Sequence, residues 1–343
     1  MSFTTRQFVM GMAVGLTVAF LIASFHSLAH VTPTRQLPIA TDRDFHRELD
    51  NVISNLSMAR LKLEKDTHFH HDDDAEAQKL REKVRVLIWV MTSPQNLKQK
   101  ATVVKNTWAG RANKVIFFSS ETDKNFPTVG LNVSEGREHL TAKTMQGFRY
   151  VYEHHRNDAD WFMKADDDTY VIVENLRYFL SSQNSSEPIY FGHHFKTIVK
   201  QGYYSGGGGY VLSKEALTRL ATKGKDPNVC RQDGGAEDAE LGHCMQKLGV
   251  KTANTTDAMG RSRFHCFDPE THLFGGYPDW YYQYDANGAK KGRESISDYA
   301  ISFHYVPPQK MLSLEFYIYH LRPYGIQSGS QDLNAHNPNR LIS

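Results

Sequence analysis

The chain has 343 residues, 40% of them hydrophobic and 23% charged, which suits one large globular domain with additional segments. Its 40 basic and 38 acidic residues nearly cancel and no dense Lys/Arg run occurs, so composition gives no basis for a nucleic-acid binder. Three cysteines without Cys-x-x-Cys spacing argue against a zinc site.

The first element is an uncharged stretch, FVMGMAVGLTVAFLIASF, from Phe8 to Phe25. At ~1.5 Å per residue it spans roughly 27 Å, enough to cross a bilayer core. It reads as a transmembrane signal anchor, with a cleavable signal peptide kept open by Ala23 and Ser27-Leu-Ala29. Arg6 and the chain's amine favour a cytoplasmic tail over residues 1–7 and a lumenal remainder. The sequons at Asn55, Asn132, Asn184 and Asn254 are N-glycosylation candidates on that side. A lumenal setting also permits a disulfide between Cys230 and Cys244, leaving Cys266 free or intermolecular.

Residues 26–82 read as a stem. Phe45, Leu49, Val52 and Leu56 form a short heptad-like stripe, as compatible with a homodimer as with a lone surface helix. The histidine- and acid-rich stretch from His68 to Ala75 reads as a solvated linker. A catalytic domain over 83–326 and a flexible tail over 327–343 complete the division.

The domain opens with an apolar strand, Val84 to Met91, of the kind buried on both faces. A helix is expected from Leu97 to Trp108, then strands at Val115–Phe118 and Val129–Leu131. A helix from Glu138 to His154 aligns Leu140, Thr144, Phe148 and Val151 on one side. The strand Trp161 to Ala165 runs into Asp166-Asp-Asp168. Strand side chains alternate, so Asp166 and Asp168 can converge while Asp167 turns aside. Convergent carboxylates at a strand's carboxyl end offer hard oxygen ligands to a divalent cation that also meets phosphate. A helix at Val173–Leu180, a strand at Pro188–Phe191 and a turn at Ser205-Gly-Gly-Gly-Gly-Tyr210 follow. Those glycines permit close approach to a ligand or merely a flexible turn, and they match neither a P-loop nor a dinucleotide fingerprint. Asp238 opens a helix running through Leu248, where a carboxylate is a cap, a general base, or both. Alternating strands and helices predict an α/β domain with a mostly parallel sheet.

Taken together, these ordered motifs resemble the core 1 β1,3-galactosyltransferases. The likeness covers roughly Val84 to Gly325. It is carried by Val86-Leu-Ile-Trp-Val-Met-Thr-Ser-Pro94, Lys105-Asn-Thr-Trp108, Glu135-Gly-Arg137, Asp158 through Val171, Tyr190-Phe-Gly192 and Lys200 through Tyr210. Glu237-Asp238, Ser302-Phe-His-Tyr-Val306 and Tyr319 through Gly325 extend it. The resemblance implies a glycosyltransferase-A (Rossmann-like) fold in a single catalytic domain and a type II Golgi membrane protein. It further implies Mn²⁺ as cofactor, UDP-galactose as donor and N-acetylgalactosamine-bearing glycoproteins as acceptors. By position, Asp168 and His304 are implied metal ligands, with Asp166 nearer the nucleotide. Met91, Glu135, Gly136, Arg137, Lys143, Asp166 and Tyr305 are implied UDP contacts, Asp238 the catalytic base and Trp280 an acceptor contact.

The chain departs from the family at its cysteines. Ala112 stands where a cysteine is common, Gly292 to Ser297 replaces an adjacent pair, and Cys266 takes a position where proline is common. A β1,3-glycosyltransferase with another donor or acceptor, or an inactive chaperone-like paralogue, remains an alternative. The intact Asp166, Asp168, Asp238 and His304 argue against the inactive form.

Overall fold

The computed structural model describes residues 74–324. The apolar segment from Phe8 to Phe25, the heptad-like stripe, Asn55 and the tail over 327–343 lie outside them. Among the described residues no helix is long and apolar enough to cross a membrane.

The elements in chain order are α1 (Ala75–Lys83), β1 (Val86–Met91), α2 (Thr102–Asn106), β2 (Lys114–Ser119), β3 (Thr128–Gly130), α3 (Leu140–His155), β4 (Trp161–Asp166), β5 (Tyr170–Val171) and α4 (Val173–Leu180). They continue with β6 (Ile189–Gly192), β7 (His194–Phe195), β8 (Tyr203–Tyr204), β9 (Tyr210–Ser213), α5 (Lys214–Lys223), α6 (Glu237–Lys247) and β10 (Lys251–Thr252). The last are β11 (Phe264–His265), α7 (Pro269–Phe274), α8 (Asp279–Tyr284), β12 (Ser302–Phe303) and α9 (Pro308–Tyr319).

Seven strands form the main sheet in the order β10-β6-β9-β4-β1-β2-β3. Central β1 is buried at every residue, and its side chains divide by the strand's period of two. Val86, Ile88 and Val90 enter one apolar cluster, whereas Leu87, Trp89 and Met91 enter the other, packed with Phe148 of α3, Leu217 of α5 and Met245 of α6. Each such side chain taken fully from water stabilises the fold by roughly 1.5–3 kcal/mol, which explains why an unbroken apolar run can be central only in a doubly covered sheet. Strands β3, β2, β1 and β4 run parallel, as do β6 and β10, but β9 runs against both β4 and β6. The expected α/β architecture is present, with that one reversal.

Local differences from the sequence reading have local causes. The helix expected over Leu97–Trp108 is broken into a π-helical turn at Leu97–Ala101, the short α2 and a 3-10 turn at Trp108–Arg111. Thr102 donates its hydroxyl to the Leu97 carbonyl at 2.8 Å, and the backbone leaves helical geometry at Thr107, letting Trp108 bury completely. Within the stretch read as stem, α1 packs Leu80 against the core. The Cys230–Cys244 disulfide is present with Cα atoms 4.7 Å apart, and Cys266 is a buried free thiol.

A three-stranded sheet, β11-β12-β5, positions the site. Because β12 runs antiparallel to β5 with Phe303 opposite Tyr170, the residue after β12 falls beside those just before β5. Those residues are His304 and Asp168, and the Val306 N–H fixes the junction by donating to the Asp168 carbonyl at 3.0 Å.

Candidate active site

The carboxyl ends of β1 and β4, the glycine-rich turn before β9, the start of α6 and the segment after β12 enclose a cleft of about 690 Å³. Met91, Glu135, Arg137, Lys143, Asp166, Asp168, Asp238, Trp280, His304 and Tyr305 all line it. Gly136 does not, but its φ of 136° carries the chain between Glu135 and Arg137 in a conformation that suits glycine. A cleft of this size lies within the range that takes nucleotide-sized ligands.

At its floor, Asp166, Asp168 and His304 each present an atom within 4.8 Å of the others. His304 Nε2 stands 3.3 Å from Asp168 Oδ1, while Nδ1 faces the Cys266 carbonyl at 3.3 Å. A proton on Nδ1 directed at that carbonyl leaves Nε2 free as a ligand, the usual outer support for a metal-binding histidine. Burial opposes ionisation of Asp168, but His304 and Lys100 outweigh it and bring the carboxyl down to about 2. Burial and the Asp168 charge push Asp166 up against the opposing pull of Lys164. Asp166 Oδ1 is buried without a hydrogen-bond donor in alignment, although the Lys164 ammonium lies 2.7 Å away. Two carboxylates and an imidazole with such an unsatisfied oxygen fit a hard to borderline divalent cation.

Asp167 is set apart. It is buried, accepts from Thr92 Oγ1 at 2.8 Å and Asn96 Nδ2 at 2.9 Å, and pairs with Lys100 at 3.4 Å. Its work is to tie the loop after β4 to the segment after β1, as the strand alternation predicted.

Across the cleft, Asp238 occupies the second residue of α6; the cap position belongs to Ala236. Asp238 still satisfies a free N–H of the first turn, Ala239 at 2.8 Å, and accepts from Gly206 N at 3.2 Å. Burial and the neighbouring Glu237 charge push its carboxyl up to about 6, against those two N–H donors and Lys164. A carboxylate with its pKa that close to neutral can accept a proton from a hydroxyl.

A Fringe-like family model matches residues 81–265, more than half of the chain. Over 280 residues the chain is 45% identical to glycoprotein-N-acetylgalactosamine 3-beta-galactosyltransferase 1 of Xenopus laevis, covering 80% of this chain and 78% of that one. This chain belongs to the Fringe-like family. A mouse beta-1,3-glucosyltransferase is 30% identical over 176 residues, 50% of this chain and 35% of its own length. Among solved structures, the galactosyltransferase LgtC with donor and acceptor sugar analogues aligns over 69% of this chain and 97% of its own at 11% identity and a TM-score of 0.38, too loose to assign any residue. The Fringe-like chain is thus a glycosyltransferase of the core 1 β1,3-galactosyltransferase group, with an α/β fold.

Elsewhere in this cleft, buried Lys143 pairs with Glu135, which also accepts the Ser120 N–H at 3.3 Å. Those contacts outweigh burial and lower the Glu135 pKa. Arg137 is exposed at the rim. Tyr305 has a left-handed backbone, φ 54°, and stacks on His304 with ring centres 3.9 Å apart. Half-exposed Trp280 also lines the cleft, in T-shaped contact with Phe195, Tyr281 and Tyr284.

Several contributors were not assigned a role from sequence. Gly207 lies so close to His304 that a Cβ there would fall 2.0–2.3 Å from the imidazole ring. Lys164 and Glu237 are buried beside Asp238 and the cluster of Asp166, Asp168 and His304. The signal for Lys164 was present, since a lysine two residues before Asp166 shares its face of β4.

Proposed function

We propose that this chain transfers galactose from UDP-galactose, with inversion, to the 3-hydroxyl of O-linked N-acetylgalactosamine on glycoproteins. Its 45% identity across most of both chains to the Xenopus enzyme of that name carries the reading. Convergence of the acidic triad and Asp238 on one cleft supplies the matching chemistry.

In this reading Asp168, His304 and Asp166 hold Mn²⁺, which when bound neutralises charge on the departing diphosphate. Met91, Glu135, Gly136, Arg137, Lys143, Asp166 and Tyr305 bind UDP. Lys143, held near the nucleotide by Glu135, and Arg137 supply positive charge to the phosphates. Trp280 offers an indole face to the apolar side of the acceptor sugar. Asp238 accepts the proton of the acceptor hydroxyl as its oxygen bonds to the anomeric carbon. The bond from that carbon to the phosphate oxygen breaks, and UDP leaves with the electron pair. A single displacement inverts the centre and requires no covalent enzyme intermediate. We further assign the chain to the Golgi membrane as a type II protein, anchored by Phe8–Phe25; the exposure of sequon residues Asn132, Asn184 and Asn254 supports a lumenal domain.

The test uses the full chain purified in detergent, with Mn²⁺, an N-acetylgalactosamine glycopeptide and, separately, UDP-galactose, UDP-glucose and UDP-N-acetylglucosamine. A β1,3-linked galactosyl product with preference for UDP-galactose is expected. A folded, Mn²⁺-binding protein that transfers none of the three would sink the enzyme reading, and preference for another donor would move the chain to a different substrate class.

A further inference from the structure

Lys164 is only 2% exposed, yet neither the triad nor the base needs a lysine for its own chemistry. Its ammonium lies 2.7 Å from Asp166 Oδ1 and 3.8 Å from Glu237 Oε2, and it donates to the Gly206 carbonyl at 3.2 Å. Gly206 in turn donates its N–H to Asp238 Oδ2 at 3.2 Å. Nothing larger fits there without rearrangement, because a Cβ on Gly206 would fall 2.6 Å from Glu237 Oε2. Glu237 is itself fixed, accepting from Thr144 Oγ1 at 2.7 Å and Tyr210 OH at 2.6 Å. Glu237 and the Gly206 peptide are thus held in place, and the one peptide segment the ammonium grips is the one that grips the base.

We propose that Lys164 is a positioning residue for catalysis: balanced by Asp166 and Glu237, it fixes Gly206 so that the Gly206 N–H aims Asp238 at the acceptor. The inference rests on the base role given to Asp238 above. A buried lysine serves this better than a neutral donor because its charge also bears on the base. The charged and titratable groups near Asp238 are Glu237 on its own helix, Lys164 on β4, Tyr203 on β8 and Tyr190 on β6. Only Lys164 among them favours the ionised form.

Three variants of the full chain test this: Lys164→Met, Glu237→Gln, and the double Lys164→Met/Glu237→Gln. The single lysine variant leaves two carboxylates without their cation and risks the fold; the double returns the group to its wild-type net charge, with Asp166 as its one remaining carboxylate. With the double, in which Asp166 still lacks its ammonium partner, we expect a melting temperature within a few degrees of wild type and only a small rise in KM for UDP-galactose. Its kcat should fall on the order of 10²-fold, the scale of a misplaced catalytic group. The acidic limb of kcat/KM should move to higher pH in Lys164→Met, which loses a positive neighbour, and to lower pH in Glu237→Gln, which loses a negative one. A folded double variant with wild-type kcat would overturn the inference, as would limbs that stay in place in both single variants. If Lys164→Met does not fold, the kcat of the double variant decides. An inactive wild type in the same assay would instead refute the proposed reaction.

Discussion

Replacing Asp238 by asparagine should abolish transfer without destabilising the folded protein, a pairing that a merely structural carboxylate would not give. The structure raises this carboxyl from 3.8 to about 6, chiefly by burial and then by Glu237. A group with that pKa is roughly 90% ionised at pH 7 and roughly 10% at pH 5, so kcat/KM should fall about tenfold between them. The stability sign is opposite. Between about pH 4 and pH 6 the unfolded chain has released this proton while the folded chain retains it, so stability falls as pH rises through the window. The shift of about two units corresponds to at most about 3 kcal/mol against the ionised fold at pH 7, an upper figure because the carboxyl faces the open cleft. Asp238→Asn removes that penalty but accepts only one of the two N–H bonds from Ala239 and Gly206, a loss of about 1–3 kcal/mol, so Tm should stay level or rise slightly. Asp167 is raised to about 6 as well, whereas Asp168 at about 2 stays charged throughout. Asp167→Asn is therefore the control, and it should leave the kinetic limb where it was. Initial rates across pH 5–8 with scanning calorimetry on the same samples make the measurement. Turnover by Asp238→Asn above a few per cent of wild type, a rate flat between pH 7 and 5, or a lowered Tm would each refute the reasoning.

Two further outcomes follow from the geometry. Gly207→Ala places a methyl 2.0–2.3 Å from the His304 ring, so the imidazole must swing away; Mn²⁺ affinity, followed by the paramagnetic resonance of free Mn²⁺, should weaken about 10- to 100-fold in a protein that still folds. Unchanged affinity would show that His304 is not a ligand. Cys244→Ser opens the link to Cys230 across a sequence separation of 14, for which chain entropy gives about 3 kcal/mol, read as a lower denaturation midpoint with little change in turnover by the molecules that remain folded.

Much of this site could be read along the chain because its parts are local. The apolar run at β1 dictates a doubly covered strand, and the alternation of β4 is enough to separate Asp167 from its neighbours. What local pattern could not supply is adjacency made by pairing. His304 reaches Asp168 only because β12 pairs with β5, and Gly207 reaches His304 only because β9 reverses between β4 and β6. A run such as Tyr210-Val-Leu-Ser213 carries no sign of its own direction.

The same distinction bears on the departures from the family pattern, because each can be judged by which atom the structure uses. At Cys266 it is the backbone carbonyl that faces His304 Nδ1, and a proline there would present the same carbonyl. Exchange at that position therefore leaves the support of His304 intact. Where the adjacent cysteines are absent, Ser295 donates its hydroxyl to the His272 carbonyl at 2.9 Å, and Ser297 donates its N–H to the Ser262 carbonyl at 2.9 Å. These bonds hold the segment before β12 against its neighbours by contacts individually worth about 1 kcal/mol. Ala112, buried at the 3-10 turn, fills its place as a small apolar side chain. The lost cysteines thus bear on how firmly the scaffold is tied, while the groups that face the cleft are held by strand pairing and backbone hydrogen bonds that need no sulfur.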